Sequence, residues 1–257
     1  MKTDERHRLI GELLRERAEV SVEDLTAACD ASGATIRRDL EVLAAHGVLR
    51  RIHGGARSLI VGGENPGYGQ RELEDQDIKL RIAAGVAGLL RDQERVWLDS
   101  GTTATEIART LRGRQLTLMP MSLRSLNAVT AEDRNAGQRP SLLLPGGSLV
   151  PGELCFRGPM AESNIRSLRF DSAVVTPCAL NLKDGLLAHD LDDAAVKRAG
   201  LESSGRVIVA CAGSKWNAKA MALVAELDLV DVIVTEKDLT VQELAQLNNL
   251  SVEVVNV

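Results

Sequence analysis

The sequence predicts an α+β winged helix-turn-helix followed by an α/β open-sheet domain. Three observations point there. Residues 32–57 read as a short helix with an arginine pair and then a basic hairpin containing two adjacent glycines. From residue 95 onward, short apolar runs of strand character alternate with amphipathic helical stretches, the pattern of an open, mostly parallel sheet. A chain of 257 residues also exceeds the usual size of one domain, which suits a small module joined to a larger one. We therefore expect a winged helix-turn-helix over residues 1–57, a linker over 58–75 and an α/β domain over 76–257.

The first helix, residues 4–17, sets Leu9, Ile10, Leu13 and Leu14 at helical spacing between charged residues. Ser21, with Asp24 three positions on, reads as an N-cap with an acidic N3 residue. It opens a second helix whose Leu25, Ala28 and Cys29 are expected to face inward. Ser32 caps a third helix in which Ile36, Leu40 and Leu43 form the buried i, i+4, i+7 stripe. Thr35, Arg37, Arg38 and Glu41 are left pointing outward or obliquely. Gly47 stands where a C′ residue ends a helix, and Val48, Leu49 and Ile52 begin a strand of the wing. Gly54 and Gly55 let the backbone turn tightly and approach a phosphate without side-chain obstruction.

This arrangement suits double-stranded DNA. Thr35 and the early residues of the third helix would reach base edges, and the arginines would grip guanine or phosphate bidentately. The candidate contact residues are Ser32, Thr35, Arg37, Arg38, Arg50, Arg51, His53, Gly54, Gly55 and Arg57. A blander reading has Asp39 and Glu41 neutralising Arg37 and Arg38 on a solvated helix face. The net charge of −5 is unevenly placed: residues 1–57 hold ten Lys/Arg and ten Asp/Glu, so the deficit lies downstream. Aromatic content is only 2%, which disfavours stacking platforms for single strands or RNA.

The start of the chain passes directly into an amphipathic pattern, and no run of 18 apolar residues follows, so a cytoplasmic protein without membrane contact is expected. Cys29, Cys155, Cys178 and Cys211 are widely separated, as are the four histidines. Neither a metal site nor a disulfide framework is expected, and no cofactor is indicated.

The connector holds Gly62-Gly63-Glu64-Asn65-Pro66-Gly67 and then the charged run 70–77, which passes into a helix through Ile78, Ile82, Ala83, Val86 and Leu89. Strands are expected at 95–98, 116–119, 141–144, 172–175, 207–211, 232–235 and 251–255, with helices at 103–111, 123–129, 193–203 and 241–247. Ligands of such sheets sit at the carboxyl ends of the strands. The clearest strand end is Asp99-Ser100-Gly101-Thr102-Thr103, with a glycine for the turn, hydroxyls, and the free amides of the next helix to favour an anion such as phosphate. Neither a G-x-x-x-x-G-K-[ST] loop nor a G-x-G-x-x-G run is present, which disfavours nucleotide triphosphates and dinucleotides. Ser122, Gly146, Gly147, Asp171, Lys197 and Lys215 stand near other strand ends.

Residues 32–39, with Thr-Ile-Arg-Arg-Asp, and 49–56, with Arg-Arg-Ile-His-Gly-Gly-Ala, resemble the N-terminal signature of the DeoR family of bacterial transcriptional regulators. The downstream strand ends resemble that family's effector domain, which is similar in fold to ribose-5-phosphate isomerase. The resemblance implies a regulator, usually a repressor, of carbohydrate catabolism whose operator affinity responds to a phosphorylated sugar or related metabolite. It implies that Asp99, Ser100, Gly101, Thr102 and Thr103 hold the phosphate, while Gly146, Gly147, Asp171, Lys197 and Lys215 line the rest. The chain departs from the family pattern at Met121-Ser122, where Thr-Asn is usual, at Asp193, where Glu is usual, and at Ala212, where Asp is usual. The alternatives are an isomerase-like enzyme, which would need a poised carboxylate base, or a domain that only oligomerises. Reading two half-sites calls for a homodimer or homotetramer.

Overall fold

The computed structural model describes residues 1–45, 48–58, 67–131 and 139–257. Gly47 and the turn-forming run 62–66 of the expected connector lie outside the described residues. The chain divides into two compact units, Met1–Gln76 and Asp77–Val257.

The first unit runs α1 (Thr3–Glu16), β1 (Glu19–Ser21), α2 (Val22–Cys29), α3 (Gly33–Ala45), β2 (Leu49–Ile52), β3 (Gly55–Ser58) and α4 (Tyr68–Leu73). Ile10, Leu14, Leu25, Cys29, Ile36, Leu40 and Leu43 form its core, the aliphatic stripes of the three helices meeting over the small sheet. The Ser21 hydroxyl accepts the Asp24 amide at 3.0 Å, and the Asp24 carboxylate returns to Ser21, closing a capping box. Ala28 is exposed, contrary to expectation, because the eight-residue α2 buries only the i, i+4 pair Leu25 and Cys29.

The sheet order is β1-β3-β2, and all pairs are antiparallel. Gly54, at φ 79°, occupies the left-handed region that the two-residue turn between β2 and β3 requires. Gly55 has another reason: a Cβ there would lie 2.3 Å from the Val20 carbonyl oxygen. The close approach of β1 to β3 demands this glycine for packing, a constraint additional to the expected approach of a phosphate. The wing also runs on to Ser58, and α4 packs on α1 with Tyr68 buried. The stretch expected as linker therefore contributes to this unit at both of its ends.

The second unit continues with α5 (Gln76–Leu89), β4 (Arg95–Leu98), α6 (Thr102–Thr110), β5 (Thr117–Pro120), α7 (Leu123–Thr130), β6 (Ser141–Leu142), β7 (Ser148–Leu149), β8 (Phe156–Arg157) and α8 (Pro159–Arg166). It then runs β9 (Ser172–Val175), β10 (Ala179–Asn181), β11 (Gly185–Ala188), α9 (Leu191–Glu202), β12 (Val207–Ala210), β13 (Ala222–Ala225), β14 (Val232–Thr235), α10 (Val241–Asn249) and β15 (Glu253–Asn256). Seven strands form a parallel sheet in the order β15-β14-β12-β9-β4-β5-β6. Successive residues alternate between two cores. Trp97, Met119, Val175, Val209 and Ile233 line one face, and Val96, Leu98, Leu118, Val174, Ile208 and Val234 the other. Burial on both faces explains why these strands read as unbroken apolar runs. A second sheet, β10-β11-β13, and the hairpin β7-β8 were not expected from the sequence.

From β4 the chain builds outward through β5 to β6, then crosses back to place β9 on the other side of β4. The crevice at the carboxyl ends of β4 and β9 is the switch point where such sheets take ligands. Among the described residues no helix is long and apolar enough to cross a membrane, and no group of three or more His, Cys, Asp and Glu is placed to hold a metal.

Candidate functional site

In the first unit Asp39 does not neutralise the neighbouring arginines. It lies on the inner stripe of α3, where Arg6 Nε and Nη2 donate to its two oxygens at 2.7 and 3.0 Å and His7 Nε2 sits 3.1 Å from Oδ1. Burial opposes the charge, but the bonds from Arg6 and His7 hold the carboxyl below its ordinary range. Arg37 and Arg38 are exposed on the opposite side of the helix. Neither they nor Arg50 have a carboxylate within ion-pair reach among the described residues. Glu41 pairs instead with Arg51 at 2.8 Å, and Glu19 pairs with Arg57. Ser32 accepts the Thr35 amide at 3.2 Å and its hydroxyl meets that of Thr35 at 2.9 Å, so it fixes the start of α3. His53 is exposed beside Gly54 at the tip of the wing.

In the second unit Asp99 ends β4 and is 1% exposed. Its carboxylate accepts the Ser100 amide at 2.7 Å, the Thr176 amide at 2.9 Å and Lys197 Nζ at 2.5 Å. Thr176, just past β9, donates its hydroxyl to the Ser100 carbonyl at 2.7 Å. Three segments thus clamp one loop from below. Gly101 follows at φ 108°, a conformation any side chain would strain, and α6 begins at once. The opening amides of α6 have no intrahelical acceptor, and with Ser100, Thr102 and Thr103 they make up the candidate anion cradle. Asp99 lies beneath this cradle as its support, a different role from the direct phosphate contact expected of it.

A line of alternating charge runs from the cradle. Lys197, 2% exposed, also approaches Asp193 at 3.5 Å; Asp193 meets Arg157 at 3.5 Å, and Arg157 meets Asp190 at 2.8 Å. Burial opposes the Lys197 charge, yet Asp193 and Asp99 together hold the ammonium above its ordinary pKa. Burial pushes the Asp99 carboxyl up, and Lys197 pulls against it. Asp190 caps α9 by accepting the Asp193 amide at 2.8 Å. Arg157 and Thr176 had no motif to reveal them in the sequence.

The remaining expected residues divide. Ser122 is fully buried, and its hydroxyl accepts the Ser125 amide at 3.0 Å to cap α7, so it holds a helix rather than meeting a ligand. Gly146 and Gly147 both have positive φ; a Cβ at Gly147 would come 2.5 Å from the Arg157 carbonyl oxygen, so the turn is packed against the charged line. Lys215 ends a short 3-10 turn, Gly213–Lys215, past β12. Asp171 must be withdrawn. It precedes β9, accepts the Arg95 amide and guanidinium at 2.8 and 2.7 Å, and therefore lies at the amino ends of the strands, across the sheet from the cradle.

A winged helix-turn-helix whose Arg37, Arg38 and Arg50 have no carboxylate partner among the described residues, followed by a parallel α/β unit with a candidate ligand loop at its switch point, is the architecture of a DNA-binding regulator with a sensor domain. Residues 6–60 match the DeoR-like helix-turn-helix domain and residues 74–237 the DeoR C terminal sensor domain. The chain belongs to the DeoR family of transcriptional regulators. It is 34% identical over 236 residues to the transcriptional repressor AccR of Agrobacterium fabrum, covering 91% of this chain and 90% of that protein. It is 32% identical over 236 residues to the glycerol-3-phosphate regulon repressor of Haemophilus influenzae, again with 91% and 90% covered. Ribose 5-phosphate isomerase A of Methanocaldococcus jannaschii aligns with 56% of this chain and 55% of its own, at 14% identity and a TM-score of 0.39.

Proposed function

We propose that this protein represses a carbohydrate-catabolism operon in the cytoplasm and that a phosphorylated sugar or related metabolite, bound at Ser100 to Thr103, alters its affinity for operator DNA. The observation that carries the reading is the clamped loop: Asp99, Thr176 and Lys197, from three segments, fix a glycine-bearing turn against a helix N-terminus at the switch point. Such a turn is preorganised for the phosphate of a small ester. Gly146, Gly147 and Lys215 lie on the loops that would receive the rest of the molecule. The name of one relative, the glycerol-3-phosphate regulon repressor, agrees with this chemistry.

Binding rather than turnover is favoured because Asp99 and Asp193, the carboxylates below the cradle, both face Lys197. Neither is a free general base. On the DNA side, Arg37, Arg38 and Arg50 supply contacts, and a dimer or tetramer presents two recognition helices to an operator. A titration of operator fragments with and without sugar phosphates tests the proposal. A tenfold change in affinity corresponds to about 1.4 kcal/mol of coupling; an operator affinity unmoved by any phosphorylated sugar overturns the sensor reading. Conversion of ribose 5-phosphate by the protein overturns the assignment as a binding domain.

A further inference from the structure

Beyond the cradle, the loops after β12 and β14 carry polar atoms that the fold leaves unanswered. Glu236 follows β14, and its Oε1 accepts the Gly213 amide at 2.7 Å. Its Oε2 is buried and has no hydrogen-bond partner among the described residues, and the same holds for Nε1 of Trp216, a side chain only 6% exposed. A buried polar group left unpaired is destabilising, so an orphan acceptor and an orphan donor in one neighbourhood need a cause.

The neighbourhood is shared. Gly213 lies against Glu236, and a Cβ added there would come 2.8 Å from its Oε1. Burial pushes the Cys211 thiol up to about 12, with Lys215 opposing the rise and Glu236 adding to it. Lys237 Nζ stacks 5.1 Å from the centre of the Trp216 ring while donating to both oxygens of Glu243. Lys215 has no carboxylate partner among the described residues. In the sheet β12 lies directly beside β9, whose carboxyl end supplies Thr176 to the cradle.

We propose that Glu236, with Trp216 opposite in hydrogen-bonding sense, is a specificity site that reads the hydroxyl groups of the bound ester: Glu236 Oε2 accepts from one hydroxyl and Trp216 Nε1 donates to another. This rests on the phosphate reading above and adds the feature that separates a polyhydroxyl phosphate from phosphate alone. A site built to hydrogen-bond a hydroxyl discriminates strongly against ligands that lack it.

The test is calorimetric titration of the full chain with inorganic phosphate, glycerol 3-phosphate, ribose 5-phosphate and glucose 6-phosphate. Wild-type protein should bind at least one ester about tenfold or more tighter than phosphate. Glu236→Gln keeps a carbonyl for Gly213 and reverses the orphan atom from acceptor to donor. It should weaken that ester about tenfold while moving phosphate less than about twofold. Trp216→Phe keeps an aromatic ring, smaller than indole, and removes the N–H, and it should weaken the ester severalfold with the same indifference to phosphate, which keeps the test falsifiable if the first variant folds poorly. Equal losses for ester and phosphate, or no loss in either variant, overturn the specificity site. Phosphate binding with no preferred ester overturns it while leaving the cradle intact. No binding of phosphate or any ester overturns both.

Discussion

Replacing Lys197 with Met isolates the central interaction of the sensor domain. The variant keeps the length and apolar stem of the side chain and removes the ammonium that meets Asp99 at 2.5 Å. Arg157 still answers Asp193, so the carboxylate left without a cation is Asp99, 1% exposed. Removing one partner of a buried pair costs about 3–5 kcal/mol. In a unit of this size each kcal/mol lowers Tm by roughly 2–4 °C, so a fall of about 6–20 °C is expected. The assay is intrinsic fluorescence during unfolding, because both tryptophans, Trp97 and Trp216, belong to the unit Asp77–Val257 and report on it alone.

The sign of the pH effect follows from burial. Asp99 already has its pKa raised by burial, and Lys197 is the largest influence opposing that rise. Without Lys197 the folded-state pKa climbs further above the unfolded value. A carboxyl so raised favours the folded state at low pH and loses that contribution as pH rises through its folded pKa. The Tm gap between K197M and wild type should therefore narrow as pH falls from about 8 to about 5. Adding Asp99→Asn should restore about 1–3 kcal/mol through coupling of the contacting pair. A gap of less than about 1 kcal/mol, a gap independent of pH, or strict additivity in the double variant refutes the argument.

Three further outcomes follow. Arg38→Ala should weaken operator binding in gel-shift titrations and, where its contact is to phosphate, reduce the salt slope by about 0.9; Arg51→Ala should do less, since Arg51 is paired with Glu41. Gly55→Ala should destabilise the first unit more than Gly54→Ala in denaturant melts. The former drives a Cβ to 2.3 Å from a backbone carbonyl, while the latter meets open space and only its positive φ, a cost of about 1–2 kcal/mol. Asp171→Ala should leave phosphate binding unchanged and cost at most about 1 kcal/mol of stability, because its pair with Arg95 is exposed and distant from the cradle; a lost phosphate affinity would restore it to the site.

Much of this was readable in the chain. Ile36, Leu40 and Leu43 announce the inner face of α3, and the same stripe contains position 39, which is how Asp39 could have been recognised as inward-facing. The parallel strands were legible because burial on both faces makes them uninterrupted apolar runs. Asp171 was misplaced for a definite reason: a polar residue flanking a strand looks alike at either end, and only the register Val96 with Ser172 tells which end it occupies. Arg157 and Thr176 stayed hidden because their roles come from partners 33 and 77 residues away, a pairing that no local spacing encodes. Gly55 carried a visible signal, but the reason for it lies in the β1 backbone.

The cradle has an order of assembly. Asp99 finds Thr176 and Lys197 only 77 and 98 residues later in the chain, whereas the first unit closes its own core before residue 77. Synthesis proceeds at roughly 5–20 residues per second, and domains generally fold as units. A nascent chain thus holds a finished DNA-binding head for about ten seconds, on that scale, before the last clamp residue emerges. During that interval the growing polypeptide has the means to recognise DNA and none to hear the metabolite.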